Sequence, residues 1–183
     1  MLYVQQSLAP DEELIRVGQF HWMYDVKAVM AIVWGLVLSI FLLLGAVYFM
    51  ENYWIHVARE PYFFYSDGLI GKIRELHPAI RIFSVMIFVL GVLRFATMMI
   101  VKATTEIAVT TSRIIYKRGL VARYVGEMSV DRIEGVNVLQ TVLGRIFNYG
   151  RVMIRGLGVG EVILPPIADP LRFRQAVDKA RKT

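Results

Sequence analysis

The sequence predicts a membrane protein of the α+β class: two transmembrane helices, then a small β-barrel or bent sheet capped by a C-terminal helix. Three observations predict it. The 183 residues are 56% hydrophobic with a mean hydropathy of +0.51, too apolar for an ordinary soluble domain. Two long apolar runs lie in the first 101 residues. From Thr104 onward they give way to short alternating runs punctuated by turn residues, the pattern of short strands. Charge divides along the same line. Lys102 to the end holds 14 Lys+Arg against 7 Asp+Glu, whereas the first 101 residues hold 7 against 8. A basic half behind an apolar half suits a domain held beside an anionic membrane surface.

Residues 1–27 form an N-terminal segment in which Glu13 to Phe20 (ELIRVGQF) alternates. With both termini on one side of a membrane, this segment is placed to add an edge strand to the later β domain. Residues 28–50 (AVMAIVWGLVLSIFLLLGAVYFM) form the first span, 23 residues without a charge. As a helix they rise about 34 Å, enough for a hydrocarbon core of about 30 Å. The run starts too late, is too long and lacks a small-residue cleavage site, so it is not a cleavable signal peptide. Ala31, Gly35 and Ser39 fall four apart on one face, where small residues allow close helix approach to the second span or in an oligomer. Gly91 and Ser84 offer a matching small surface on the second helix.

Residues 51–79 form a loop rich in rings (Tyr53, Trp54, Tyr62, Phe63, Phe64, Tyr65), expected to lie on the membrane at headgroup level. Residues 80–101 form the second span, whose apolar run Ile82 to Val101 is interrupted by Arg94. That arginine either snorkels to the headgroups as the span slides toward Pro78, or is a buried partner for a carboxylate or lipid phosphate. Six basic residues flank the spans on the terminal side (Arg16, Lys27, Lys102, Arg113, Lys117, Arg118) against four in the loop (Arg59, Lys72, Arg74, Arg81). This bias puts both termini in the cytoplasm.

Residues 102–183 form the β domain. Strands are expected at Glu106 to Thr110, from Ile114 to Tyr116, and over Val121 to Ser129, with turns at Thr111-Ser112 and Lys117 to Leu120. Val130-Asp131-Arg132 turns into a fourth strand over Gly135 to Gln140. Val142, Leu143, Ile146 and Phe147 are at helical spacing, so a short helix is expected between Thr141 and Tyr149. Arg151 to Gly156 and Glu161 to Leu164 complete the strands, and Pro165-Pro166 ends the sheet. Asp169 is read as the cap of a final helix with Pro170 at its first position and an apolar stripe of Leu171, Phe173, Ala176, Val177 and Ala180.

The order of these motifs carries a resemblance. It comprises Thr-x-x-Arg at Thr110 to Arg113, Arg-Gly-Leu at Arg118 to Leu120, Asp-Arg-Ile at Asp131 to Ile133, and Leu-Gly-Arg at Leu143 to Arg145 before Tyr149-Gly150. With the opening Pro10-Asp11-Glu12-Glu13 and the pair of spans, the chain resembles the bacterial pleckstrin-homology (PH) domain family, of the membrane-anchored YdbS-like type. The resemblance covers about Thr104 to Val177. It implies a PH-like barrel capped by a helix on the cytoplasmic side of the bacterial inner membrane, without enzymatic chemistry. The long loop between the spans departs from the tight hairpin that the family leads one to expect.

The residues themselves argue against catalysis. With no cysteine there is no thiol nucleophile, disulfide or Cys-ligated metal. His21, His56 and His77 are scattered, and no G-x-S-x-G elbow occurs. The run Gly156 to Gly160 lies between two strands rather than at a strand-to-helix turn, so it cannot cradle phosphate as a nucleotide loop does. The carboxylates Glu127, Asp131 and Glu134 are explained by pairing or capping. No cofactor and no nucleic acid is expected. The residues singled out for lipid or partner contact are Arg94, Lys117, Arg118 and Arg123. Lys117 and Arg118 are adjacent on a strand, so they point to opposite faces. The function expected is a non-catalytic scaffold that binds a membrane protein or forms a homo-oligomer. The alternative is a lipid-recognising or lipid-handling protein that uses the basic rim and Arg94.

Overall fold

The computed structural model describes residues 2–53, 68–119, 124–157 and 160–182. The chain divides into two units: Val26–Met98, and a second made of Met1–Asp25 together with Met99–Thr183.

Unit Val26–Met98 is built on two long helices, α2 (Trp22–Asn52) and α4 (Pro78–Thr104), with the short α3 (Leu69–Glu75) between them. They are 31 and 27 residues long with hydropathy 2.6 and 2.2, long and apolar enough to cross a membrane. Few of their side chains are buried: Ala28, Gly35, Ser39 and Val47 on α2, and Ser84 on α4. The small residues meet across the helix pair. A Cβ on Gly35 would stand 3.1 Å from the Gly91 Cα, and a Cβ on Gly91 would stand 2.8 Å from the Ala31 carbonyl oxygen. Further along the same seam the Ser39 and Ser84 hydroxyls lie 2.7 Å apart, and Ser84 also donates to the Ser39 carbonyl. Absent side chains bring the backbones close enough for hydroxyls to bond across an otherwise apolar seam. Lys72 of α3 pairs with Glu51 at the end of α2. Of the aromatic loop, Trp54, Tyr62, Phe63, Phe64 and Tyr65 lie outside the described residues, and Tyr53 packs its ring near Tyr48 and Phe49.

The other unit holds two antiparallel sheets. The first runs β1 (Leu14–Gly18), β2 (Glu106–Thr110), β3 (Arg113–Arg118), β4 (Tyr124–Ser129) in spatial order. A 3₁₀ turn at Val130–Arg132 leads to the second sheet of β5 (Ile133–Leu139), β6 (Tyr149–Gly156) and β7 (Gly160–Ile163), with β8 (Ile167–Ala168) also on β6. The short α5 (Val142–Ile146) joins β5 to β6, and α6 (Pro170–Ala180) ends the chain. The two sheets are not hydrogen-bonded strand to strand into a closed barrel among the described residues. Their backbones meet at one corner, where Phe20 bridges Ile167 and the Ala168 amide donates to the Gln19 carbonyl. The bent-sheet form of the expectation therefore describes the domain, and the closed barrel is corrected.

Alternation explains the packing. Ile107 and Val109 of β2 face the core with Ile114 and Tyr116 of β3, while Ala108 and Ile115 face the other way. That outer face is covered by α1 (Leu2–Ser7), whose Val4 is 1% exposed, so β2 is buried on both sides. The stripe on α6 supplies Phe173, Val177 and Ala180 to the same core. Neither α1 nor β8 was expected from the sequence. Asp169 precedes α6 but does not cap it with its side chain. Its backbone is left-handed (φ 48°, ψ 56°), and its carboxylate is taken by the Asn148 amide and lies 4.0 Å from Arg16.

Candidate functional site

Several motif residues turn out to hold the fold. The Glu12 carboxylate accepts hydrogen bonds from the Thr110 and Ser112 hydroxyls, the Arg113 guanidinium and the Ala9 amide. Burial alone pushes the Glu12 pKa up, but these bonds outweigh it and hold it at about 2. The hydrogen bond to Glu12 raises the Arg113 pKa further, helped by Glu127, whose carboxylate lies 2.8 Å from Arg113 Nη1. The Thr-x-x-Arg motif thus clamps the β2–β3 turn to the segment ahead of β1. Gly144 of Leu-Gly-Arg is equally constrained, since a Cβ there would stand 2.6 Å from the Tyr149 carbonyl oxygen.

The four residues singled out from the sequence do not converge. Arg123 lies outside the described residues. Arg94 is exposed on α4 in the helical unit and makes no ion pair with a described residue. Lys117 is engaged: its Nζ is 3.1 Å from Glu106 and lies over the Tyr3 ring. Glu106 in turn has its pKa lowered, because hydrogen bonds from the Val4 amide, Lys117 and the Tyr3 amide outweigh the opposing effect of burial. Lys117 therefore anchors α1 over the sheet.

Arg118, on the opposite face of β3, lines an open groove of about 270 Å³ together with Arg151 of β6. Val101 and Thr105, at the end of α4, and Pro165-Pro166 form its other walls. Both arginines are exposed, and neither makes an ion pair with a described residue. Such a groove suits a phosphate or carboxylate. Sequence reading missed the pairing because β3 and β6 belong to different sheets. The nearby ends of the long helices are tied by Lys102 Nζ, 2.6 and 2.7 Å from the two Asp25 carboxylate oxygens.

A second concavity lies between β4 and β7. Among the described residues, β4 and β7 each pair along one edge only, and a cleft of about 90 Å³ opens between them. It is lined by Ile114, Tyr116, Tyr124, Met128, Ile154 and Val162, together with the carboxylates Glu127 and Glu161. Tyr124 is 59% exposed. The glycine-flanked connection here is a β6–β7 hairpin in which Gly156 and Gly160 are cross-strand partners. Among the described residues no three His, Asp or Glu side chains are grouped to hold a metal ion.

A family model described as the bacterial PH domain matches residues 13–181. No curated protein and no solved structure matches the chain. The match begins at the residue before β1, so it encloses both long helices.

Proposed function

The chain belongs to the bacterial PH domain family, and on that premise we propose that it is a membrane-anchored, non-catalytic interaction module. In this reading α2 and α4 span the inner membrane, both termini are cytoplasmic, and the chain is of the YdbS-like type. The β unit holds a protein segment, from another membrane protein or a second copy, at the β4–β7 corner. The observation that carries it is the pair of strand edges, unpaired among the described residues, that flank a largely apolar cleft. Unpaired N–H and C=O groups recruit an added strand, and the pockets between them select its side chains. Tyr124 and Tyr116 provide rigid apolar surface with a polar tip, the kind of side chain that dominates binding energy at interfaces.

A second reading is favoured by the Arg118–Arg151 groove. Its wall includes Val101, the last residue of the second apolar run, which puts the two guanidinium groups at headgroup depth when α4 spans a bilayer. Arg94, two turns earlier on α4, then contributes a separate phosphate contact.

One preparation separates the readings. A photo-crosslinking residue at Tyr124, in native membranes, is expected to give a discrete crosslinked band that a Val162→Lys change abolishes. Absence of any band at Tyr124 counts against the interaction module. From the same membranes, Arg118→Ala/Arg151→Ala protein should lose co-purified phosphatidylglycerol relative to wild type. Undiminished lipid removes the second reading.

A further inference from the structure

Helix α5 buries no side chain. The residue it buries is Gly144, which seats the helix backbone against the Tyr149 carbonyl. Polar bonds fix it there: the Thr141 hydroxyl accepts from the Gly144 amide at 3.1 Å, and the Gln140 amide donates to the Gly144 and Tyr149 carbonyls. Everything apolar on the turn points outward. Val142 is 79% exposed, Ile146 68% and Leu143 54%, with Phe147 and Leu139 also exposed. Such a concentration of large aliphatic side chains on one rigid turn marks a surface that is covered in the working protein.

What covers it follows from its neighbours. The Phe147 ring meets Trp22 edge-on, with centroids 5.7 Å apart. Trp22 is the first residue of α2, which continues unbroken into the apolar run beginning at Ala28. Six residues of helix span about 9 Å, so a spanning α2 puts Trp22, and Phe147 beside it, in the headgroup layer where tryptophan is enriched. Charge agrees. Arg145 lies exposed on α5 itself, and Arg151 is the cross-strand partner of Leu139. An apolar tip flanked by two arginines complements an anionic leaflet, the tip entering the acyl boundary and the guanidinium groups meeting phosphates.

We propose that α5 is a membrane-inserting prong: Val142, Leu143 and Ile146 penetrate the cytoplasmic face of the bilayer beside the start of the first span. The occupant of this surface is lipid. The prong ties the β unit to the membrane surface. It rests on the reading of α2 as a span and not on the protein-docking corner, and it shares only Arg151 with the arginine groove.

The cysteine-free chain makes the test direct. Single-cysteine variants of the full chain, Val142→Cys and Ile146→Cys, are spin-labelled in vesicles of phosphatidylethanolamine and phosphatidylglycerol. Glu134→Cys serves as an aqueous reference and Leu38→Cys on α2 as a lipid reference. Collision with oxygen relative to a water-soluble nickel chelate should be high at positions 142 and 146, approaching the value at 38 and well above that at 134. Labels at 142 and 146 that match position 134 overturn the proposal. So do labels shielded from both reagents, or broadened by a neighbouring label, because a protein or a second copy then covers the turn. An aqueous signal at position 38 as well would show that the spanning premise has failed, and the prong with it.

Discussion

Glu12 receives five hydrogen bonds from four residues, three of them about 100 positions away along the chain. A carboxylate held at a pKa of about 2 in the folded state, against 4.5 when unperturbed, favours folding wherever it is ionised in both states. That contribution is fully present above pH 4.5 and is lost as pH falls from there toward 2. A shift of that size corresponds to about 3 kcal/mol at most. Arg113 remains partly solvated and keeps Glu127, so Glu12→Gln is expected to cost about 2 kcal/mol, less than the loss of a fully buried pair. Thermal midpoints of the detergent-solubilised protein should fall for Glu12→Gln at pH 7 and converge with wild type near pH 2. A constant difference across that range refutes the assignment. Sequence reading had Glu12, Thr110 and Arg113 in hand as family motifs, but spacing cannot show that they meet. Asp169 illustrates the opposite error: its position before Pro170 suggested a capping side chain, yet Asn148, 21 residues earlier, claims the carboxylate.

At the scale of elements, periodicity was most informative where one face alone is buried. The stripe of α6 follows it except at Leu171, which is exposed, and so does the alternation of β6, whose Val152 and Ile154 face the core. It was silent on α1 and β8, whose six and two residues are too short to show a period. It was ambiguous at α5, where helical spacing of Val142, Leu143, Ile146 and Phe147 looks like a buried face although all four are exposed. The small-residue face of α2 left two outcomes open, and the structure seats it on α4. That seam supports a prediction. Gly91→Leu places a side chain where a Cβ alone would come within 2.8 Å of the Ala31 carbonyl, which must part the helices at a cost of about 1–3 kcal/mol. In a Ser39→Cys/Ser84→Cys background the hydroxyl positions, 2.7 Å apart, become thiols that should crosslink on mild oxidation. Adding Gly91→Leu should abolish that crosslink. Its persistence would mean that the helices do not depend on the glycine contact.

For the whole molecule, the decisive feature is where the helical unit is inserted. Strands β1 and β2 are hydrogen-bonded neighbours, yet all of Val26–Met98 lies between them in sequence. The sequence reading gives 102–183 as the β domain with 1–27 as a candidate edge strand, and by contacts Met1–Asp25 and Met99–Thr183 form one unit. A chain beginning at Met99 would lack β1, leaving an edge of β2 unpaired, and would lack Glu12, leaving Arg113 without its main partner. It would also lack Gly18, whose backbone lies against Ile107 and Phe173 in the core. The ends to be rejoined are close, since Asp25 and Lys102 are in contact. A six-residue Gly/Ser linker, with a typical span of about 13 Å, bridges neighbouring helices that pack about 8–10 Å apart. Met1–Asp25 joined by such a linker to Met99–Thr183 is therefore expected to unfold in urea in a single cooperative transition. Met99–Thr183 alone should show no such transition, or one at a much lower midpoint. Equal midpoints for the two chains would mean that β1 and Glu12 merely decorate a domain complete without them. Unequal midpoints would make folding of the β unit contingent on the helical segment bringing its two ends together, because the intact chain cannot pair β1 with β2 any other way.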